Sequence, residues 1–230
     1  MTEALAAAAA VVSFAFAASL WERWITRRRV HEAAWAVSLA LFCLGALSLW
    51  AGASLGWAPW SFRLFYAFGA IANVPFLAVG TIELLGGRRA GRVAWAVATF
   101  VGLFSLGVLV ATPLTGTIDP DVLPRGSEVF GPLPRILAAV ASGVGATVVF
   151  AGALWSVARR RGGARLVAGN LVIAAGTAIL SMSGLLNSVL GEMEAFAVTL
   201  AAGVVVLFAG FLIATSPQPQ RRLQAVRDVA

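Results

Sequence analysis

The sequence predicts an all-α membrane bundle of seven crossing helices, with the N-terminus outside and the C-terminus inside. Three observations carry the prediction. Of the 230 residues 60% are hydrophobic and 12% are charged, against roughly 25% charged in soluble domains, and the mean hydropathy is +0.90. Seven apolar stretches approach or exceed the ~20 residues that a helix needs to cross a hydrocarbon core. Finally, the arginines alternate from one connection to the next, as the retention of positive charge in the cytoplasm requires.

The first span runs from about Ala4 to Trp21 and is rich in alanine. A cleaved leader is the competing reading, but Glu3 precedes the apolar run and the arginines follow it, the reverse of a leader's charge order. The second span covers about Ala33 to Leu55, the third Trp60 to Leu85, and the fourth Val93 to Ala111. A connection of Thr112 to Pro134 follows, stiffened by Pro113, Pro120, Pro124, Pro132 and Pro134 and carrying Asp119, Asp121 and Glu128. The fifth span covers about Ile136 to Ala158, the sixth Leu166 to Leu190, and the seventh Ala195 to Thr215. Residues 1–216 thus form one transmembrane domain. After Pro217 and Pro219, residues 217–230 form a short basic tail on the cytoplasmic side.

Arginine placement sets the direction. Arg23, Arg27, Arg28 and Arg29 lie between spans one and two, and Arg88, Arg89 and Arg92 between three and four. Arg159, Arg160, Arg161 and Arg165 lie between five and six, and Arg221, Arg222 and Arg227 in the tail. Only Arg63, Arg125 and Arg135 fall on the opposite side. The formal charge of +7 is therefore topological, matched to the anionic inner leaflet of a cell's inner membrane and not to nucleic acid.

Residue types narrow the chemistry. All seventeen basic residues are arginine, so no lysine can form a Schiff base and covalently bound retinal is excluded. The single cysteine, Cys43, sits in an apolar run and permits no disulfide within the chain. No GxSxG, HExxH or phosphate-cradling glycine loop occurs, and no catalytic residue, metal site or cofactor is assigned. His31 and Glu32 are adjacent, yet one histidine among arginines makes a poor metal ligand set.

The third span carries the sharpest pattern. Stepping by helical turns gives Arg63, Tyr66, Gly69, Asn73, Phe76, Gly80 and Glu83 on one face, with Leu, Ile, Val, Ala and Phe on the others. In a membrane such a face turns toward other helices or a cavity. Pro75 removes a backbone donor beside Asn73 and predicts a kink there. On the sixth span Thr177 and Ser181 share a face, which makes them candidate partners for Asn73.

The polar residues sort by depth into three groups. Asn73, Tyr66, Thr177, Ser181 and Asn187 are candidates for a ligand contact or a pathway. His31, Glu32, Glu83 and Asn170 form an inner cluster, in which Glu83 has Arg88 and Arg89 as prospective partners. Arg63, Glu192 and Glu194 form an outer cluster, where an ion pair would tie two helix ends. Glycine pairs seven residues apart (Gly45 and Gly52, Gly145 and Gly152, Gly169 and Gly176, Gly203 and Gly210) predict close helix packing, chiefly within one chain.

The segments RRRVHEAAWAVSLALF and SFRLFYAFGAIANVPFLAVGTIELL, with the short arginine connections, resemble a family of uncharacterised bacterial integral membrane proteins. That resemblance covers the first half of the chain and implies a multi-pass fold, with no activity attached. The seven-helix layout is also similar to that of rhodopsins, in topology alone. The function read from the sequence is a non-enzymatic membrane protein that binds or senses a small or lipidic ligand through the polar stripe of spans three and six. Two alternatives use the same stripe: a small-solute transporter or channel, and an accessory subunit docked on another membrane protein.

Overall fold

The computed structural model describes residues 2–158, 164–185 and 193–215, with the side chains of residues 166, 183–185, 193, 194, 214 and 215 set aside. The described residues are helical with no strands. Helix α1 spans Thr2–Arg27 and α2 spans Val30–Leu55. Only Arg28 and Arg29 join them, and Arg28 makes the turn in the left-handed region at φ 54°. Helix α3, Pro59–Phe65, starts on a proline, where the missing N–H costs nothing. It passes into a π-helical segment, Tyr66–Ala72, and then into α4, Asn73–Ala111. A four-residue turn of helix, α5, covers Gly126–Val129. Helices α6 (Pro132–Ala158), α7 (Ala164–Leu185) and α8 (Met193–Thr215) are the remaining helices among the described residues.

Among the described residues five helical stretches are long and apolar enough to cross a membrane: Thr2–Arg27, Val30–Leu55, Pro59–Ala111, Pro132–Ala158 and Ala195–Ile213. A sixth, Val167–Met182, is apolar but shorter. The stretch Pro59–Ala111 holds both the third and the fourth predicted spans. The basic loop expected between them is reduced to a break at Gly87, whose φ of 75° and ψ of −176° only glycine adopts freely. The chain reverses there. Phe76 and Trp95, on opposite sides of the break, have ring centroids 5.4 Å apart, where a straight helix would hold them ~28 Å apart. Val101, also beyond the break, packs against the cluster of Ile71, Ala138 and Ala141. We call residues 73–86 the first arm of α4 and residues 88–111 its second arm.

The helices form a ring in the order α1, α2, first arm of α4, α6, α7, α8, with α8 closing back on α1. Phe16 of α1 makes that closure, its ring 4.6 Å from Phe208 and 4.9 Å from Phe211. The second arm lies outside the ring. It packs inward through Ala98 on Ala34 and Val79 and leaves Val93, Val97, Phe100 and Leu103 exposed, as a lipid-facing surface requires.

Small residues set the closeness of the ring. A methyl group on Gly45 of α2 would stand 2.9 Å from the backbone nitrogen of Gly69. Gly176 of α7 meets the backbone of Leu207 in α8, and Gly145 and Gly152 of α6 receive Val74 and Thr81 of the first arm. The spaced glycines therefore serve contacts within one chain.

Candidate functional site

Pro75 shapes the first arm, and neighbouring helices repair what it breaks. Without its N–H, the carbonyls one turn back lose their donor, and the register widens to a π turn over Tyr66–Ala72. One side chain from a neighbouring helix replaces the lost bond, and two from α2 add hydrogen bonds to carbonyls further along the first arm. Ser142 of α6 donates to the Ala70 carbonyl, and Ser38 of α2 donates to the Asn73 carbonyl at 2.7 Å. The Trp35 indole N–H of α2 donates to the Leu77 carbonyl at 3.2 Å, passing over Gly80, where any Cβ would collide with the ring. The stripe Gly69, Asn73 and Gly80 thus lies against α2, through Gly45, Ser38 and Trp35.

This differs from the expected partnership with span six. Thr177 donates to its own helix at Ile173, at 2.9 Å, and Ser181 donates to Thr177, at 2.9 Å. Asn73 is buried, and its Oδ1 has no hydrogen-bond partner. Asn187 and Glu192 lie outside the described residues, as does the Glu194 side chain.

The centre of the ring holds a cavity of about 50 Å³. All six ring helices reach it: Phe16 and Leu20 from α1, Trp35 and Leu39 from α2, Leu77 and Thr81 from the first arm, Val149 from α6, Ile173 from α7, and Leu207 and Phe211 from α8. Its two polar donors, Trp35 Nε1 and Thr81 Oγ1, are both spent on the Leu77 carbonyl. A space lined this way is dry, since a water needs at least two polar partners.

Below the cavity, at the arginine-rich end, lies a charged closure. Glu32 is 1% exposed, and its Oε1 stands 3.2 Å from Arg23 of α1. The Arg23 guanidinium also covers the Phe211 ring at 4.9 Å, so one cation joins α1, α2 and α8. Glu32 Oε2 has no partner. His31 rests edge-on against Trp35 at 5.2 Å. Elsewhere at this end, Asn170 donates to Ser156 at 2.8 Å and ties α7 to α6. The carboxylate of Glu83 lies against Gly91 across the α4 reversal, and no ion pair joins it to Arg88 or Arg89. Among the described residues no three His, Cys, Asp or Glu side chains gather as metal ligands.

The opposite end is covered by the proline-rich connection, which folds down onto an aromatic floor. Leu123, Val129 and Phe130 are buried there with Trp57, Phe62 and Phe65. The Phe130 ring stacks on Phe62 at 5.3 Å and meets Tyr66 at 5.0 Å, and Phe65 reaches Phe196 of α8 at 5.9 Å. Two backbone bonds fasten the segment: Trp57 N–H to the Pro120 carbonyl at 2.9 Å, and Thr115 N–H to the Val129 carbonyl at 3.0 Å. Arg63, expected beside Glu192 or Glu194, donates to the carbonyls of Leu109 and, at 2.7 Å, Thr112. It thereby caps the C-terminal end of the second arm, where a cation is favoured.

The chain matches no protein-family model, no curated protein and no solved structure. The functional reading therefore stands on the geometry.

Several contributors escape sequence inspection. Ser38, Ser142 and Trp35 matter through the carbonyls they reach, and Arg23 through a carboxylate across the α1–α2 turn. The available signal is arithmetic: Arg23 and Glu32 lie nine positions apart, flanking a two-residue turn, so both face the same end of the ring.

Proposed function

We propose that the chain crosses a cell's inner membrane seven times, N-terminus outside, and binds or senses a small apolar or lipidic ligand at the centre of its helix ring, without catalysing a reaction. The crossing number is supported by the reversal at Gly87, which divides Pro59–Ala111 into two antiparallel arms. It is supported too by the length of α7, whose 22 residues extend ~33 Å. Direction rests on the fourteen arginines of one side.

One observation carries the ligand reading. The apolar cavity is reached by all six ring helices, and two of its lining residues carry the inner polar contacts: His31 rests on Trp35, and the Arg23 guanidinium of the Arg23–Glu32 pair covers Phe211. A ligand larger than the cavity must move those side chains, so occupancy and the Arg23–Glu32 contact are linked, which is the requirement for sensing. A solute pathway would need polar atoms free to bond along its depth, and the lining has its two donors committed.

Xenon and a charged thiol reagent test this together. In the full chain with Cys43→Ala, a saturable xenon-129 shift is expected, and Val149→Phe, which fills the cavity, should abolish it. Leu39→Cys, at a buried position that lines the cavity and not the outer groove, should resist a charged methanethiosulfonate reagent from both sides of proteoliposomes. Rapid labelling from either side would replace the binding reading with the pathway one.

A further inference from the structure

A second space lies outside the ring and shares one lining residue, Thr81, with the central cavity. It is a laterally open groove of about 430 Å³ between the end of the first arm and α6, lined by Thr81, Ile82, Leu85, Val148, Ala151 and Trp155. Its volume falls within the range of ligand sites, ~300–1,000 Å³, and its walls are almost wholly apolar. The groove ends at the Gly87 reversal. Immediately beyond stand Arg88, Arg89 and Arg92, all exposed and with no carboxylate in ion-pair range among the described residues. In sequence, α6 leads directly into Arg159, Arg160 and Arg161.

We propose that this groove holds one acyl chain of an anionic glycerophospholipid from the leaflet at the arginine-rich end, with the headgroup phosphate on Arg88 and Arg89. Two independent features select that occupant. The groove opens sideways between two helices whose outer faces are apolar (Leu84, Leu154 and Trp155 are exposed), so what fills it arrives from the bilayer. At this end Arg88, Arg89 and Arg92 outnumber the one carboxylate, Glu83, which lies against Gly91, and the net positive charge complements an anionic head and gives less to a zwitterionic one. A helix from a second copy would fill the groove but would leave the arginines unanswered.

Native mass spectrometry of the detergent-solubilised full chain, titrated with palmitoyl-oleoyl phosphatidylglycerol or phosphatidylcholine, tests the assignment. Wild type should retain one phosphatidylglycerol with about tenfold preference over phosphatidylcholine. The double variant Arg88→Gln/Arg89→Gln should lose the preference while still holding either lipid weakly. Ala151→Phe, a change at an exposed wall position, should lower retention of both, and Leu85→Gln provides the same test should Ala151→Phe fail to fold. Equal retention of the two lipids by wild type would overturn the proposal, as would undiminished retention in the groove variants. Displacement of the lipid by inorganic phosphate would reduce the site to an anion site. A dimer mass lost in Ala151→Phe with lipid retention unchanged would assign the groove to a second copy.

Discussion

Gly45 of α2 and Gly69 of the π-helical segment lie backbone against backbone, close enough that a methyl group on Gly45 would sit 2.9 Å from the Gly69 nitrogen. This contact fixes how near the first arm can come to α2, and through it the reach of Ser38 and Trp35 to their carbonyls. Gly45→Ala should therefore destabilise the protein by about 1–3 kcal/mol. Gly107→Ala, inside a helix and with open space around the new methyl, should leave stability unchanged or raise it by up to about 1 kcal/mol. Reversible unfolding in mixed detergent measures both, and equal effects would remove the crossing from the argument.

Ser142 and Pro75 should be energetically coupled. Ser142→Ala is expected to cost about 0.6 kcal/mol, up to ~1.7, because the Ala70 carbonyl loses its donor. In a Pro75→Ala background the restored N–H can serve that turn, and the cost should shrink. A double-mutant cycle showing additive effects would mean that Ser142 does not compensate for the proline.

For the Arg23–Glu32 pair, the two single variants should differ. Arg23→Met leaves a carboxylate that is 1% exposed without its cation, a loss of roughly 3 kcal/mol by analogy with broken buried pairs. Glu32→Gln keeps an acceptor for Arg23, whose side chain is 22% exposed and partly hydrated, and should cost less. Arg23→Met/Glu32→Leu should recover most of the loss in the same unfolding measurement. Failure of the double variant to recover would show that the pair is not acting as a unit.

Asn73→Leu separates a hydrogen-bonding role from a merely tolerated residue. Its Oδ1 has no partner, and Thr177 and Ser181 bond within α7. The change should leave stability within ~1 kcal/mol of wild type, with no coupling to Thr177→Val. Coupling above ~0.6 kcal/mol would re-establish the link between the two helices.

Arg63→Met should loosen the cover. Without its cap on the Leu109 and Thr112 carbonyls, the second arm frays into the segment that carries Phe130. Trypsin added outside sealed right-side-out vesicles should cut at Arg125 faster than in wild type. Protection of Arg125 in both proteins, with cutting only from the other side, would reverse the proposed orientation.

How much of this was legible follows from what each feature depends on. The apolar stretches were readable because crossing a membrane is a property of one segment and its length. Pro75 announced a local disturbance of the helix for the same reason, and the π-helical segment Tyr66–Ala72 precedes it. The direction faced by the stripe was not readable: Gly69, Asn73 and Gly80 suit any neighbour that offers small residues, and the choice of α2 over α7 depends on Gly45 and Trp35 arriving at matching heights. The tight turn at Gly87 was hidden by the arginines around it, whose charge suggests a solvated loop. A single glycine suffices to reverse the chain. Which residues of 114–130 carry the burial was not readable, because prolines and acids mask Leu123, Val129 and Phe130.

The ring closes between α1 and α8, the first and last helices described. During synthesis α1, α2 and the two arms of α4 can pack as soon as they emerge, since their partners are neighbours in the chain. Phe16, by contrast, waits for Phe208 and Phe211. Until α8 is made, the ring stands open along one side, and the surface of α1 that ends in the core is presented to lipid or to a membrane chaperone. Assembly is therefore timed by α8, and a chain stalled before it should be recognised as unfinished by that exposed seam.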